Sequence, residues 1–198
     1  MKFPRATHLV FCFQYENEAK LFYQALIERL AKFNLEVAGD KTKIIPFGKG
    51  AEEQNQKNGK DKPDTFDFLG FTHYCGKSRH GKFRVKRKTS KKKYRGSLLK
   101  FKKWVIENRN MPIHELWEQV INKLRGYYQH YGITDNSYMM ANYFYEAKKI
   151  LFKWLNRRSQ RKSFNWNKFG LFLNKYPLPR PKMYVSIFEF RPGIALPL

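Results

Sequence analysis

Ten of the seventeen residues from Arg79 to Arg95 are lysine or arginine, and none is acidic. Cations at that density neutralise phosphates and release the counterions condensed around them. An ordinary solvated face mixes both signs of charge, which this run does not. Arg84, Lys86 and Arg87 fall in a segment that alternates basic and apolar residues. Lys88, Lys91, Lys92 and Arg95 fall on adjoining turns of a helix, mostly opposite the face that carries Tyr94 and Leu98. A cationic ridge backed by a packed core is the expectation.

Two further basic groups stand apart from this run. Arg157, Arg158, Arg161 and Lys162 close a helical segment. Cations there also complement the helix macrodipole, but four exceed what that needs. The segment LRGYYQHYG places Arg125 beside Gly126 inside a helical pattern. A helix-interior glycine costs roughly 1 kcal/mol relative to alanine, so close helix packing or close approach of an RNA backbone should offset it. Packing is the commoner answer. Tyr127 and Tyr131 fall on the core stripe, whereas Tyr128 and Gln129 point elsewhere and are the better contact candidates.

No arrangement for bond chemistry accompanies these cations. Asp64 and Asp67 are close in sequence, but Asp67 interrupts an apolar strand pattern. Metal-dependent phosphoryl transfer needs carboxylates that share a site. The five histidines show no ligand spacing and there is no Cys-x-x-Cys, so neither a catalytic nor a metal-binding residue is assigned.

The charge balance points the same way. Forty Lys and Arg oppose sixteen Asp and Glu, a net charge of +24, and the excess lies almost wholly after residue 75. A chain this cationic repels itself when folded, so an anionic partner is the simplest explanation. Eighteen Phe, twelve Tyr and four Trp supply both core and surfaces on which bases stack. Cys12 and Cys75 are too few for a disulfide framework, which suits a reducing, cytoplasmic setting. Apolar runs fall short of a membrane span, and no membrane partner is expected.

The elements that must position these residues divide into two groups. His8–Phe13, Lys41–Phe47, Thr65–Tyr74 and Gly81–Lys86 read as strands, with a helix over Glu16–Phe33, a hairpin over Gly76–Gly81 and a polar loop over Gly48–Asp64. From Ser90 the apolar period becomes helical. One helix follows Thr89-Ser90 with Tyr94, Leu98, Phe101 and Val105 inside. A second, capped by Asn110, carries Ile113, Leu116, Val120, Leu124, Tyr127 and Tyr131 and ends at Gly132. A third, capped by Ser137, carries Met140, Phe144, Ala147, Leu151 and Trp154. A fourth covers about Asn165–Lys175. Pro-Leu-Pro-Arg-Pro at 177–181 enforces an extended path, Lys182–Phe190 could pair as a strand, and the last residues read as a tail. The expected fold class is therefore α+β, a small αβ unit over 1–86 followed by a mostly helical bundle over 87–198.

The run HLVFCF, a helix, LEVAGDKTKIIPFG and TFDFLGF resembles the last palm motifs of group II intron reverse transcriptases. KRKTSKKKYRGSLLKFKKWV, LRGYYQHYGITDN, KWLNRRSQ and YPLPRPKMYV resemble their thumb and maturase-specific domain. The resemblance covers about His8 to Val185. It implies a palm remnant followed by a thumb and maturase bundle, with structured RNA, above all group II intron RNA, as partner and an RNA–DNA duplex as a second. In the family a Tyr-Ala-Asp-Asp motif precedes the first apolar run, and Pro4, Arg5, Ala6 and Thr7 stand at those positions here. The catalytic aspartates are thus absent and no cofactor is expected in this chain, Mg²⁺ belonging only to a complete family member. The expected function is RNA binding and help in splicing by a truncated, inactive piece of an RNA-directed DNA polymerase. The alternatives are one half of a split reverse transcriptase completed by a palm and fingers chain, and an inactive remnant.

Overall fold

The computed structural model describes residues 8–51, 53, 56, 59, 63–158 and 164–189. Residues 4–7, eight residues of the loop expected over Gly48–Asp64, Arg161, Lys162 and the C-terminal tail lie outside the described residues, and Ala51, Glu53 and Gln56 of that expected loop are helical. The fold is mixed α+β with helix predominant; five helices are fully bounded among the described residues, with a small antiparallel sheet of three strands. Two compact units divide the chain, one made of residues 1–69 and 73–86, the other of 70–72 and 87–198.

In the first unit the helix α1 (Glu16–Ala31) forms where the apolar spacing predicts it, with Glu16 and Glu18 in its first turn. The strands expected at His8–Phe13 and Lys41–Phe47 do not form. A strand requires a neighbouring edge, and neither segment pairs with one. Phe11 and Phe13 instead set their rings on Phe22 of α1, at centroid distances of 4.7 and 5.1 Å. A 3₁₀ turn at Gly39–Lys41 precedes the second segment, and Phe47 meets Phe66 edge-on at 5.0 Å.

The strand expected over Thr65–Tyr74 is cut in two, β1 (Phe66–Phe68) and β2 (Phe71–Lys77). Between them Leu69 and Gly70 both adopt positive φ, 49° and 88°, the signature of a two-residue hairpin of type I′. Leucine is a poor residue there, which is why the sequence carries no turn signal. β3 (Phe83–Thr89) completes the sheet in the order β1-β2-β3 and runs three residues beyond the predicted end. In the loop before it, the Ser78 hydroxyl accepts from the backbone N–H of His80 and of Lys82, and Gly81 takes φ 72°.

The second unit is built on α2 (Lys91–Asn108), α3 (Ile113–Tyr131) and α4 (Ser137–Leu155), running up, down and up, with the shorter α5 (Trp166–Lys175). The Ser90 side chain caps α2 by accepting from Lys93 N–H, and Asn165 caps α5 by accepting from Lys168 N–H. Neither Asn110 nor Ser137 acts as a cap. Pro112 and Asn136 occupy those positions without side-chain capping bonds. The expected apolar stripes are largely buried, but α4 turns Tyr143 and Leu155 inward in place of Phe144 and Trp154.

Tyr143 sits where three helices converge. Its ring stacks on Tyr127 of α3 at 3.5 Å and faces Tyr94 and Phe101 of α2 at 6.4 Å each. Gly132 ends α3 at negative φ (−77°), so its role is not left-handed geometry. A Cβ there would collide with the Tyr128 carbonyl and meet the Lys182 carbonyl at 2.6 Å. The returning chain is docked at this spot, with Tyr184 and Val185 N–H both donating to the Gly132 carbonyl. Of the strand expected over Lys182–Phe190, the described residues 182–189 accordingly make a single parallel bridge, Val185 to Ile133, and a 3₁₀ turn at Ile187–Glu189. No described helix is long and apolar enough to cross a membrane.

Burial raises the phenol pKa of Tyr127, Tyr128 and Tyr143 well above the ordinary 10.0. The Tyr127 hydroxyl lies near enough to Thr89 to be eased slightly downward, yet it meets no partner in hydrogen-bond geometry. A raised folded-state pKa keeps the phenol neutral in the native chain while the unfolded chain ionises. The stability this represents is complete below pH 10 and is lost as pH rises through the folded-state values. Alkaline titration should therefore give tyrosinate absorbance in two stages, exposed phenols first and the buried three only together with loss of helical circular dichroism. Full tyrosine ionisation before any unfolding would contradict this burial.

Candidate nucleic-acid interface

The cations at the start of α2 are placed by a buried polar joint. Asn136, fully buried between α3 and α4, accepts from Thr89 N–H at 2.7 Å. Its amide group donates to the Thr89 hydroxyl and to the Tyr131 carbonyl, each at 2.8 Å. Ser90 N–H donates to the Gly70 carbonyl at 2.9 Å. The end of β3, the cap of α2, the end of α3 and the start of α4 are thus tied at one end of the bundle. Hydrogen-bond networks of this kind fix one geometry because every alternative leaves a buried polar group unpaired.

Lys91, Lys92, Lys93 and Arg95 project from that joint and are exposed. The first turn of α2 contains no acid. Three lysines at the positive end of a helix oppose its macrodipole, each at a cost of about 0.3–1 kcal/mol when exposed. An anion placed there meets unpaired backbone N–H groups and ammonium groups together, so the arrangement that costs the free protein favours a bound phosphate. The ridge also continues beyond the residues predicted from sequence. Lys100, Lys102 and Lys103 are exposed on the same helix, where Glu107 is the only acid. Twelve residues separate Lys91 from Lys103, about 18 Å along the axis.

The other predicted residues lie on other elements. Arg87 is half-buried and Lys88 exposed, both in the last residues of β3 just before the α2 cap. Arg84 and Lys86 are half-buried in the first unit, where the Lys86 stem lies across Gly76 so closely that a Cβ on Gly76 would meet its Cδ at 3.1 Å. Arg125 is exposed on α3, six residues or about 9 Å from the Tyr131 end.

Arg157 and Arg158 close α4 at the opposite end of the bundle, about 30 Å from Asn136 along the helix axis. The Arg158 guanidinium donates to the Met111 carbonyl at 2.7 Å, so it braces the turn between α2 and α3. Arg157 is exposed and lies over the Trp154 ring at 4.8 Å, with Arg109 also near that ring at 5.7 Å. Asn156 clamps the backbone of Phe164, donating to its carbonyl at 2.9 Å and accepting its N–H at 2.7 Å. Arg161 and Lys162 lie between, outside the described residues.

Tyr128 must be removed from the interface. It is 1% exposed, among the most buried side chains of the protein. α3 packs on two sides, with Tyr127 against Tyr143 of α4 and Trp117 against Phe172 of α5 at 4.9 Å. Its buried arc is therefore wider than a single stripe and takes in Trp117 and Tyr128.

Gly126 corrects the other preference. It is exposed, and a Cβ built on it meets nothing within 4 Å, so close helix packing is not its purpose. Gly126→Ala should raise stability by about 1 kcal/mol. If an RNA backbone comes close to this turn, the same variant should bind RNA several-fold more weakly, read by thermal melting and anisotropy on one preparation. Higher melting with unchanged affinity would place the turn outside the interface.

Among the described residues no three His, Cys, Asp or Glu side chains come together to hold a metal. Cys12 and Cys75 are unbridged, the Cys75 thiol donating to the Gly48 carbonyl at 3.7 Å. No protein-family model, curated protein or solved structure matches the chain.

Proposed function

We propose that this protein binds structured RNA through the cationic N-terminal half of α2. The observation that carries the reading is the set of three lysines at the positive end of α2, held there by the Asn136 joint against the helix's own field. A folded chain that accepts such a local cost is arranged for an anionic partner. The groups available are ammonium and guanidinium on helical ridges, which grip phosphate and shape rather than base edges, as suits A-form RNA. The resemblance to group II intron maturases supplies the RNA class, an intron RNA whose splicing the protein assists. The sequence supplies no residues for nucleotide transfer.

The test is binding to a folded group II-type intron RNA against an unrelated structured RNA, across a salt series. Phosphate contacts alone would treat both RNAs alike and weaken steeply with salt. A preference for the intron RNA that survives higher salt supports the maturase reading. Equal affinity removes it and leaves a general RNA binder. Absence of binding at low salt removes RNA binding altogether.

A second reading has one specific support. α1 buries no residue, and Leu9, Leu21 and Phe33 of the first unit are 63%, 72% and 62% exposed. Apolar exposure on this scale marks a surface that meets another chain, as half of a split reverse transcriptase would require. Under that reading a palm and fingers chain raises the melting temperature of this one and restores primer extension. Under the first reading this chain binds RNA alone.

A further inference from the structure

A groove on the second unit has a composition that the ridge on α2 lacks. Phe144 and Lys148 of α4, Leu173 and Asn174 of α5, and Pro177, Leu178 and Arg180 of the proline-rich segment line a cavity of about 370 Å³. Its volume falls within the range of small-ligand sites, roughly 300–1,000 Å³. We propose that this groove takes one unstacked nucleotide from a single-stranded stretch of the bound RNA, a step that rests on the RNA-binding reading above.

Three observations point to a nucleotide. Lys148 and Arg180 supply two positive charges at the rim, and among the described residues neither has a carboxylate within ion-pair distance. The wall between them is apolar, from Phe144, Leu173, Pro177 and Leu178, and is wasted on a phosphate alone. Asn174 adds an amide with both donors and an acceptor, the equipment that reads a base edge. A phosphodiester held by the two cations, with its base against the apolar wall, uses every part of the lining. A base inside a duplex is stacked on both faces and hides that surface, so the occupant is unpaired.

The groove is also held in shape. Trp117 Nε1–H donates to the Tyr176 carbonyl at 3.1 Å, fixing the entry to the proline-rich segment. Tyr184 N–H donates to the Gly132 carbonyl at 2.7 Å, fixing its exit. Pro177, Pro179 and Pro181 stiffen the backbone between, and Leu178 is buried as an anchor. A site formed in advance loses little conformational entropy on binding. Lys148 Nζ rests over the Phe144 ring at 4.9 Å, so its ammonium is poised at the rim rather than spread into solvent.

The test uses the full chain and two RNAs, a stem with a single-stranded tail and the same stem with blunt ends. Asn174 is exposed on α5, and Asn174→Trp fills the groove without changing charge. Affinity for the tailed RNA should fall about tenfold, the order of one missing base contact. Affinity for the blunt stem should stay within about twofold. Lys148→Gln with Arg180→Gln is the second variant, with the same preferential loss for the tail, and unchanged melting temperatures show that both variants fold.

Equal losses on both RNAs, or none, would overturn the groove while leaving RNA binding in place. A wild-type chain that binds both RNAs but shows no preference for the tail overturns it too. Failure of the wild-type chain to bind either RNA removes the RNA reading itself, and the groove with it. Displacement of the tail by an acidic peptide, with the same dependence on Asn174, would assign the groove to a protein partner.

Discussion

Replacing Lys91, Lys92 and Arg95 together with glutamate should lower RNA affinity by about a hundredfold or more at low salt, because phosphates that met cations would meet carboxylates instead. The same substitutions should not lower the melting temperature and should raise it slightly. All three side chains are exposed, and Lys91 and Lys92 stand in the first turn of α2, where an acid suits the macrodipole and a cation does not. Affinity and stability should thus move in opposite directions. The salt dependence gives a third readout, since each phosphate no longer neutralised should flatten the slope of log affinity against log salt by about one. A variant with wild-type affinity would take this end of α2 out of the interface. A variant that binds poorly and also melts early would mean that the lysines serve the fold.

Asn136→Ala should act in the reverse sense, on the fold first. It removes three hydrogen bonds made by a side chain with no exposure, and it leaves the Thr89 N–H and the Tyr131 carbonyl without those bonds. Buried polar groups stripped of partners cost about 1–3 kcal/mol each, partly recovered by relaxation, so a loss of about 2–4 kcal/mol is expected. For a unit of this size that corresponds to a fall in melting temperature on the order of 10 °C. Thr89 and Ser90 amides should exchange with solvent faster than the rest of α2, because the joint that seats the helix start has gone. If Asn136→Ala melts like wild type, the joint does not hold the ridge, and the lysines are not kept at the helix start against its field.

Much of the helical unit was legible in the sequence. Helices α2 to α5 fall where a period of about 3.6 places apolar residues inward, and Ser90 caps α2 because a short hydroxyl side chain before a helical run satisfies a free backbone N–H. The helical placement and exposure of Lys91, Lys92 and Arg95 were legible too, whereas Lys88, expected on the same helix, lies in β3, and Arg84, Lys86 and Arg87 are half-buried.

What the sequence could not decide were the features that depend on a neighbour. Whether HLVFCF becomes a strand depends on pairing with an edge, and it pairs with neither edge of the three-stranded sheet. The turn at Leu69-Gly70 is imposed on a leucine that would not choose it. Tyr128 is buried because α3 packs on two sides, and a single apolar stripe reveals only one. Gly126 stands in open space where packing was the natural expectation. Asn136, forty-seven residues from Thr89, carried no sign of its role as a buried joint. The groove of Phe144, Lys148, Asn174 and Arg180 likewise exists only once α4, α5 and the proline-rich segment are brought side by side. Charge and periodicity are properties of the chain alone and determine that a basic helical protein will form. Pairing, burial and cavities are relations between distant residues, and only the folded structure supplies them.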